Sequence, residues 1–497
     1  MKDDDSDRGK KRRALSSSSL PQPPPRSQSQ SSSASSASSA SSASSASSAS
    51  SAPASLSGLA KKIKSGQARI AVYGLGHVGS PIASVWLRFG AHVIGVDKSP
   101  SVLEMARKGR THVPEPGVNE AFSKGLREKR FSVYDDPVKA SLDSQIKMIC
   151  VPVLTSSGSL SADLGAVRSV ASSIAKGLKK GDTVVLNPSV PPGTTEDVVV
   201  PILEEGGLKA ERDFLMVYNP ERIYEGRAIE DIEERYPAIV AGAGPASVAA
   251  GSQLFSLVFK KGVMAMSNIR TAETEKLLEG VYRDVNIALA NEMARFCEKA
   301  GVDFWEARDA ANSQPFCHIH RPGVGVGGAC IPVYPQFILY AAGMAKVDCN
   351  ITRLARNVND SMPAYCVQEA IRLAGSVPES VAVLGLAFRG GVSDTRLSHT
   401  YAVVEELKKL GVKQVRVHDP LVKAADPALP QGATLTSDIH EALDGAGLVI
   451  LATDHPQYAR LSQKELGAGD VPVYDGRGVL DRSKFSRIAS IGRHQTS

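Results

Sequence analysis

The segment from Arg69 to Asp97 constrains the fold of this chain more than any other. It runs RIAVYGLGHVGSPIASVWLRFGAHVIGVD: a short apolar strand, a G-x-G-x-x-G turn, an apolar stretch with helical spacing over 80–89, and a second strand ending at an aspartate. In such a unit the glycines allow a tight turn, close approach of a pyrophosphate and close helix packing. The aspartate accepts hydrogen bonds from ribose hydroxyls and repels a 2′-phosphate. The segment therefore predicts an NAD site rather than an NADP site. The predicted cofactor-binding residues are Gly74, Gly76, Val78, Gly79 and Asp97.

Strands and helices continue to alternate beyond this unit. Apolar strand patterns at 145–151 and 182–186 flank a helical stretch at 162–177, which is typical of a parallel, doubly wound sheet. A long helical period then covers 270–300, and strand and helix alternate again from about Ser380. With 497 residues, of which 42% are hydrophobic, the chain is too long for one core. The pattern predicts two α/β domains around a helical middle.

The first 57 residues differ in composition from the rest. They contain Ser/Ala repeats, a proline run and mixed charges, with almost nothing apolar to offset the entropy cost of ordering. The sequence predicts a disordered tail over 1–57. This tail lacks the apolar stretch of a secretory signal, and no window of the chain has about 18 uncharged apolar residues. We therefore expect a cytoplasmic location and no membrane segment.

Charge and cysteine spacing exclude several other classes. The net charge of +6 is small for this length and comes partly from the KKRR run at 10–13, so no nucleic-acid partner is expected. The six cysteines form no C-x-x-C pair, which indicates free thiols in a reducing compartment. His318 and His320 lie near Cys317 but lack a spaced partner to complete a site, so no metal is expected.

Eight motifs identify a family. In chain order they are YGLGHVG, VPPGTTE, NPERIYEGR, YRDVNIALANE, IHRPGVGVGGACIPV, GLAFRGGVSDTR, ATDH and DGRGVL. On these motifs the sequence resembles the UDP-sugar 6-dehydrogenases over essentially all of 68–485. The resemblance is closest to the branch that oxidises UDP-N-acetylmannosamine or UDP-N-acetylglucosamine. Because the glucose-specific branch usually has a differently worded cysteine loop, a UDP-N-acetylhexosamine is the expected substrate and UDP-glucose the alternative.

The resemblance implies a fold, a reaction and partners. The fold is α/β, with two Rossmann-like doubly wound domains joined by a central all-helical region. The reaction is a four-electron oxidation of the sugar C6 alcohol to a carboxylate with two NAD and one water, through a thiohemiacetal and a thioester on a cysteine. The partners are a UDP-sugar and at least one further copy of the chain, as a homodimer or higher homo-oligomer. The implied domains are the tail at 1–57, an NAD-binding domain at 58–268, a helical dimerisation region with the cysteine loop at 269–375, and a UDP-binding domain at 376–497.

The resemblance also implies which residues act. Cys330, in the glycine-rich loop GVGVGGACIP, matches the nucleophile, and its small neighbours would let a bulky substrate approach the sulfur. Lys276 matches a lysine that stabilises the developing oxyanion. Glu221 matches a glutamate that acts as general base or positions water, and Ser189 keeps a hydroxyl where threonine is usual. The predicted substrate-binding residues, which include arginines suited to bidentate contact with a diphosphate, are Arg396, Arg477, Arg321 and Gly327.

Five positions depart from the family pattern. Gly280 and Tyr334 replace an asparagine and an aspartate that normally lie close to the reacting carbon, while Ala329 replaces a histidine, Asn187 a glutamate and Val153 a threonine. Loss of one oxyanion- or water-orienting donor typically costs roughly 10²–10³ in rate. The retained cysteine, lysine and glutamate favour a divergent active enzyme in which Tyr334, Asn187 or a water takes over these roles. The alternative is a weakened relative that binds NAD and a UDP-sugar without turnover. A single-step hydroxy-acid dehydrogenase of the 6-phosphogluconate type would need neither the cysteine loop nor the second α/β domain.

Overall fold

A computed structural model describes residues 56–155, 160–423, 426–466 and 469–494. Residues 1–55 of the predicted tail lie outside the described residues. The last two positions of that prediction, Leu56 and Ser57, begin a helix, α1 (Leu56–Lys64). The tail prediction is wrong at these two positions because Leu59 and Ile63 lie one helical turn apart and pack against the core of the first sheet.

The described residues form two separate sheets, of which the first has eight strands. These are β1 (Ile70–Tyr73), β2 (Val93–Val96), β3 (Phe131–Tyr134), β4 (Ile146–Ile149), β5 (Thr183–Leu186), β6 (Leu215–Tyr218), β7 (Ala238–Gly242) and β8 (Val263–Ala265). Their order is β3-β2-β1-β4-β5-β6-β7-β8, and neighbours are parallel except for the antiparallel pair β6 and β7. The first six follow the strand order of a doubly wound dinucleotide fold.

Side chains of this sheet alternate between two buried cores. Ile70 and Val72 of β1 pack on one face, while Ala71 and Tyr73 pack on the other. All four are at most 1% exposed. Because both faces of a parallel sheet are covered, its strands are short, continuous apolar runs in the sequence.

The second sheet has six parallel strands. These are β9 (Ser380–Leu384), β10 (Gln414–His418), β11 (Ala433–Thr436), β12 (Leu448–Leu451), β13 (Val473–Asp475) and β14 (Ile488–Ser490). Their order, β11-β10-β9-β12-β13-β14, repeats the doubly wound order of the first sheet. Val381 and Val383 face one core, while Ala382 and Leu384 face the other. The predicted fold class is confirmed.

The remaining α-helices cover the sheets or connect them. They are α2 (Gly79–Phe89), α3 (Pro100–Arg107), α4 (Val118–Arg127), α5 (Pro137–Leu142), α6 (Gly165–Gly177), α7 (Val200–Glu204), α8 (Ala228–Glu230), α9 (Pro245–Phe255), α10 (Ile269–Ala300), α11 (Phe304–Ala311), α12 (Tyr334–Met344), α13 (Asn350–Ala374), α14 (His399–Lys409) and α15 (Ile439–Leu443). Among the described helices, none is long and apolar enough to cross a membrane.

Helix α10 is the longest of the described elements. Its 32 residues correspond to about 48 Å at 1.5 Å per residue. The Asn268 side chain caps its start by accepting a hydrogen bond from Thr271 N, and Gly301, with φ of 73°, ends it in the left-handed conformation. Helices α10 to α13 form the predicted helical middle between the two sheets in the chain.

A buried polar network joins α10 to α13 and to the loop before α12. Arg356 pairs with the fully buried Asp284 at 2.5 Å, and Asn359 Nδ2 donates to Asp284 Oδ1 at 2.8 Å. Asn291 Nδ2 donates to Asn359 Oδ1, and Asn291 Oδ1 accepts from Gly323 N, both at 2.9 Å. Since buried polar groups are costly without partners, this network fixes the glycine-rich loop against α10.

Candidate active site

The glycine turn after β1 is tight on its inner side and open on its outer side. Gly74 has φ of 96°, a conformation that favours glycine, and its N–H donates to Val96 O at 2.7 Å. A Cβ at Gly79 would lie 1.8 Å from Gly74 O, so no side chain fits there. A Cβ at Gly76 would meet no protein atom within 4 Å. Backbone atoms at Gly76 are therefore accessible to a ligand.

Asp97 and the start of α2 complete this edge of the sheet. The Asp97 carboxylate accepts from Leu75 N at 2.8 Å and Ser99 N at 2.9 Å, and the residue remains partly exposed. Helix α2 begins after Val78 without a side-chain cap, so its first N–H groups are able to meet an anion. A bound NAD requires an open turn, a positive helix end and a carboxylate that it can reach, and the residues present fit it.

Cys330 lies in a polar cluster near the end of the first sheet. Val333 N and Tyr334 N both donate to Cys330 O at 3.0 Å, so Tyr334 follows Cys330 by one helical turn. The Tyr334 hydroxyl lies beside the Cys330 thiol and favours its ionised form. Ser189 Oγ donates to the Tyr334 hydroxyl at 2.9 Å. The tyrosine thus connects two of the residues predicted to be catalytic.

Lys276 and Glu221 line the same cluster. Lys276 lies on α10 and is only 4% exposed, with its Nζ 3.9 Å from Glu221 Oε2 and 3.7 Å from Glu279 Oε2. The same Nζ lies 5.8 Å from the centre of the Tyr334 ring. The structure therefore brings together the four residues that the sequence predicts to be catalytic.

Cys330 is an exposed residue whose sulfur is closely surrounded by protein atoms. The residue has an exposed surface, as a nucleophile requires, although many protein atoms crowd the sulfur. This desolvation raises the pKa of the thiol, and the Glu221 carboxylate raises it further. Lys276, the Tyr334 hydroxyl and Arg283 act in the opposite direction without reversing the shift. The thiol is therefore protonated at neutral pH.

The glycines before Cys330 contact the second half of the chain. A Cβ at Gly327 would lie 2.7 Å from Leu397 O, and Gly328, with φ of 89°, donates its N–H to Arg396 O at 3.0 Å. The space that a side chain at Gly327 would need is thus filled by the protein, and the role of Gly327 in substrate binding stays a prediction. Gly327 is small because the backbone of the loop closely approaches the segment after β9.

The predicted substrate-binding arginines have different surroundings. Arg396 Nε donates to both oxygens of Asp394 at 2.9 Å. Burial lowers the pKa of Arg396, but the effect of Asp394 is larger, so the pKa of the arginine is raised. Arg477 pairs with Asp454 at 3.3 Å, and its buried Nε has no hydrogen-bond partner within the described residues. That donor remains for a ligand. Arg321 is exposed and forms no ion pair in the described part of the chain.

Three residues that the sequence did not single out meet beside Arg396. One ligand atom each of His77, Glu225 and Asp394 lies within 4.8 Å of the others. Burial, with Arg396, lowers the pKa of His77 to about 4; burial, with Asp394, raises the pKa of Glu225 to about 7. Such donors could hold a divalent cation, but both Asp394 oxygens already accept from Arg396. The expectation of no metal stays a prediction.

A sequence signal for these three residues did exist. His77 lies in YGLGHVG, Glu225 in NPERIYEGR and Asp394 in GLAFRGGVSDTR, and each motif follows a strand. Parallel strands place such loops at one edge of their own sheet. What the sequence cannot give is the contact between an edge of the first sheet and one of the second.

The remaining departures from the family pattern are mostly buried. Asn187, 1% exposed, uses its Nδ2 to donate to Asn219 O at 2.9 Å and to Asn219 Oδ1 at 3.2 Å. Its amide is therefore part of a structural network. Val153 packs in one core of the first sheet. Of the two residues expected to replace missing groups, Tyr334 is the one that lies beside the Cys330 sulfur.

Comparisons with known proteins cover both sheets and the helical middle. Residues 68–258, 270–361 and 382–482 match the NAD binding, central and UDP binding domains of the UDP-glucose/GDP-mannose dehydrogenase family. A UDP-N-acetyl-D-mannosamine dehydrogenase from Pyrococcus horikoshii is 33% identical over 86% of this chain and 99% of its own. An NDP-N-acetyl-D-galactosaminuronic acid dehydrogenase from Ralstonia nicotianae is 33% identical over 84% and 97%. The structure of a UDP-glucose dehydrogenase from Pyrobaculum islandicum superposes with a TM-score of 0.78, at 29% identity, over 86% of this chain and 98% of that one.

Proposed function

This chain belongs to the UDP-glucose/GDP-mannose dehydrogenase family of NAD-dependent oxidoreductases, and on that premise we propose that it oxidises the C6 alcohol of a UDP-N-acetylhexosamine to a carboxylate. The observation that carries the proposal is the convergence of Cys330, Ser189, Lys276 and Glu221 in one cluster. A thiol beside a buried lysine and a carboxylate is suited to covalent capture of an aldehyde.

The proposed reaction balances over two oxidations. The alcohol becomes an aldehyde, which adds the Cys330 thiol to form a thiohemiacetal; oxidation of this adduct gives a thioester. Water then cleaves the thioester, supplies the second carboxylate oxygen and releases the thiol. Three protons are released in all. NAD, when bound, accepts one hydride in each oxidation, so two are consumed per sugar.

Cys330 and Lys276 have complementary roles in this scheme. Attack on the aldehyde needs the thiolate, and the charged Lys276 within the cluster favours that form of Cys330. Lys276 Nζ also stabilises the oxyanion that develops at C6 on attack and again on thioester cleavage. Glu221, 3.9 Å from Lys276, accepts a proton from the attacking water, and Ser189 orients the groups around the sulfur through Tyr334.

The nucleotide is held by the second sheet and the cysteine loop. We assign the diphosphate to Arg477, whose buried Nε lacks a partner among the described residues, and to Arg396, whose position is fixed by Asp394. Arg321, at the exposed start of the cysteine loop, and the Gly327 backbone contact the substrate from the other side. In the first sheet, Gly74, Gly76, Val78 and Gly79 hold the NAD pyrophosphate, and Asp97 holds the ribose.

The sugar is proposed to be an N-acetylhexosamine. Support comes from two relatives named for N-acetylated sugars, which this chain matches at 33% identity over nearly their whole length. The fold does not separate this choice from UDP-glucose, because a UDP-glucose dehydrogenase superposes closely as well. UDP-N-acetylmannosamine and UDP-N-acetylglucosamine are the first substrates to test.

A second copy of the chain is proposed to pack on the helical middle. The exposed face of α10 carries an apolar stripe at heptad spacing: Tyr282, Leu289 and Phe296 are 55%, 48% and 61% exposed. Met344 and Ile351 add exposed apolar surface, at 73% and 71%. Such a surface supports a homodimer through the helices. With it we propose the domain boundaries 58–268, 269–375 and 376–497, and a cytoplasmic location, which the unpaired cysteines favour.

The test is turnover with a substrate panel. Purified protein is mixed with NAD and UDP-N-acetylmannosamine, UDP-N-acetylglucosamine, UDP-glucose or UDP-galactose, while NADH absorbance is followed and products are identified by mass spectrometry. Two NADH per sugar and a uronate from an N-acetylated substrate are expected. Saturable binding of NAD and a UDP-sugar without NADH would instead identify a weakened relative, and a uronate from UDP-glucose alone would overturn the substrate choice.

A further inference from the structure

Tyr334 packs its ring against Gly280 and places its hydroxyl beside Ser189 and the Cys330 sulfur. We propose that its hydroxyl is a catalytic donor to the Cys330 sulfur, the middle of a relay in which Ser189 donates to Tyr334 and Tyr334 donates to Cys330. This inference rests on the proposed function, since it assigns a role within the same site.

The direction of the relay follows from the hydrogen bond between Ser189 and Tyr334. Ser189 Oγ donates to the Tyr334 oxygen at 2.9 Å, which leaves the single phenolic proton for another acceptor. The Cys330 sulfur lies beside that hydroxyl, since Tyr334 follows Cys330 by one helical turn and Tyr334 N donates to Cys330 O at 3.0 Å. Each donation strengthens the next, because an oxygen that accepts a hydrogen bond becomes a better donor. A thiolate at Cys330 would receive the end of this chain.

Gly280 provides the space for the ring. A Cβ at Gly280 would lie 2.5 Å from Tyr334 Cδ2 and 3.0 Å from Tyr334 Cβ. Glycine inside a helix costs about 1 kcal/mol relative to alanine, so its presence in α10 needs a compensating contact. The ring of Tyr334 is that contact. Gly280 and Tyr334 depart from the family pattern at separate positions in the sequence. In the structure the two changes depend on each other, because the ring needs the space that the glycine leaves.

The charged groups around the sulfur explain why such a donor matters. Glu221 faces Cys330 from the loop after β6, Lys276 and Arg283 from α10, and Arg396 from the segment after β9. Desolvation and Glu221 raise the pKa of Cys330, so each group that favours the thiolate is needed to lower that pKa again. Burial, together with Cys330 and Glu221, holds the pKa of Tyr334 well above its ordinary value. The phenol therefore stays protonated and remains a donor throughout the working pH range.

The first experiment is Tyr334→Phe, which keeps the ring and removes the hydroxyl. Alkylation of Cys330 by iodoacetamide is followed on its own peptide by mass spectrometry across about pH 7 to pH 11, without substrate. We expect the pH midpoint of the alkylation rate to rise by about one pH unit, as loss of a hydrogen bond to a charged group predicts. With substrate, kcat should fall about tenfold at neutral pH while KM for the UDP-sugar stays within about twofold.

An unchanged midpoint in a folded Tyr334→Phe variant would overturn the proposal. Ser189→Ala provides an independent check, because it removes the first donor without altering either the ring or the thiol. Its midpoint should shift in the same direction by a smaller amount. Alkylation needs no turnover, so a failure of the proposed function leaves this test intact, and turnover with unchanged midpoints would remove Tyr334 alone from the mechanism.

The second experiment tests the pairing with Gly280. Gly280→Ala should displace the ring and raise the Cys330 midpoint in the otherwise native chain. In a Tyr334→Ala background, where the ring is absent, the same change should leave the midpoint unaltered. Equal effects of Gly280→Ala in both backgrounds would mean that the glycine acts independently of Tyr334 and would contradict the pairing.

Discussion

The first strand of each sheet ends in the same way, yet the two ends serve different ligands. Strand β1 leads into Gly74 with φ of 96°, and β9 leads into Gly385 with φ of 104°. In both sheets an aspartate after the second strand accepts from the N–H groups of this turn: Asp97 from Leu75 N, and Asp419 from Leu386 N at 2.8 Å. The same arrangement, a glycine turn whose N–H groups donate to an aspartate, thus occurs in both sheets, and each copy is called a frame.

The two frames differ in the helix that comes after the turn. Helix α2 begins at Gly79, immediately after the first turn and without a side-chain cap, whereas α14 begins only at His399 and is capped by Ser398. Asp97 stays partly exposed, while Asp419 is fully buried and bonds to His455 at 3.1 Å. The first frame leaves a helix end for a phosphate; the second uses a longer connection to direct arginines toward the first. Strand order alone does not determine the ligand.

The largest effect is expected where neither frame is altered. Cys330→Ser should lower turnover by roughly 10⁴-fold or more, because a weaker nucleophile replaces the thiol. Affinity for NAD and for the UDP-sugar, which depends on the two frames, should change little. Product mass and calorimetric titration of each ligand measure these separately. Uronate formed at the native rate would remove Cys330 from the mechanism.

The two glycine turns can be broken one at a time. Gly79→Ala should weaken NAD binding by roughly 10- to 100-fold, since its Cβ would lie 1.8 Å from Gly74 O and the turn must distort. Gly385→Ala, whose Cβ would lie 2.2 Å from Thr453 Cβ, should weaken UDP-sugar binding instead. Titrations of both variants with both ligands test the separation. Loss of NAD affinity in Gly385→Ala would show that the frames are not independent.

The two aspartates should respond differently to the same change. Asp97→Asn should raise the KM for NAD by about tenfold and allow NADP to compete, because the repelling charge is gone. Asp419→Asn should leave the KM for NAD and the discrimination against NADP unaltered. It should lower the free energy of unfolding by about 1–3 kcal/mol, because buried hydrogen bonds are lost. Cofactor kinetics and urea unfolding measure the two effects. A native enzyme that used NADP as well as NAD would contradict the role of Asp97.

The smallest expected effect is a difference in pH dependence. Burial raises the pKa of Glu273, beside the first sheet, to about 7, although Gly193 N and Thr195 donate to its carboxylate. Its folded pKa exceeds the unfolded value of 4.5, so its contribution to stability is complete below pH 4.5 and is lost as pH rises through 7. Hydrogen bonds from His455 and Ala387 outweigh burial and lower the pKa of Asp419 to about 2, so its contribution is present above pH 3.8 and is lost as pH falls through 2.

Thermal unfolding across pH can test both signs. The melting temperature of Glu273→Gln should rise relative to that of the native chain between about pH 4.5 and pH 7. The melting temperature of Asp419→Asn should lie below that of the native chain at neutral pH, and this difference should shrink only below about pH 4. A constant difference between native chain and variant across either interval would contradict the assigned pKa shift.

Predictability from sequence follows the range of the interaction. The turn at Gly74 and the strand ending at Val96 were predictable because neighbouring residues form them, and short apolar runs identify strands buried on both faces. The cluster of His77 with Glu225 and Asp394 was not predictable, since its members meet only through packing of separate segments. Tyr334 shows the same limit: the sequence marked it as a departure, but its hydrogen bond from Ser189 appears only in the fold.

The doubly wound architecture, the NAD turn and the four candidate catalytic residues were predictable from the sequence, because local periodicity and motifs encode them. The tertiary structure sets how these residues combine. It placed Gly280 under the ring of Tyr334, filled the space beside Gly327 with protein, and left the Arg477 Nε without a partner among the described residues. These features depend on distances between segments far apart in the chain, and such distances are fixed by core packing and not by local preference.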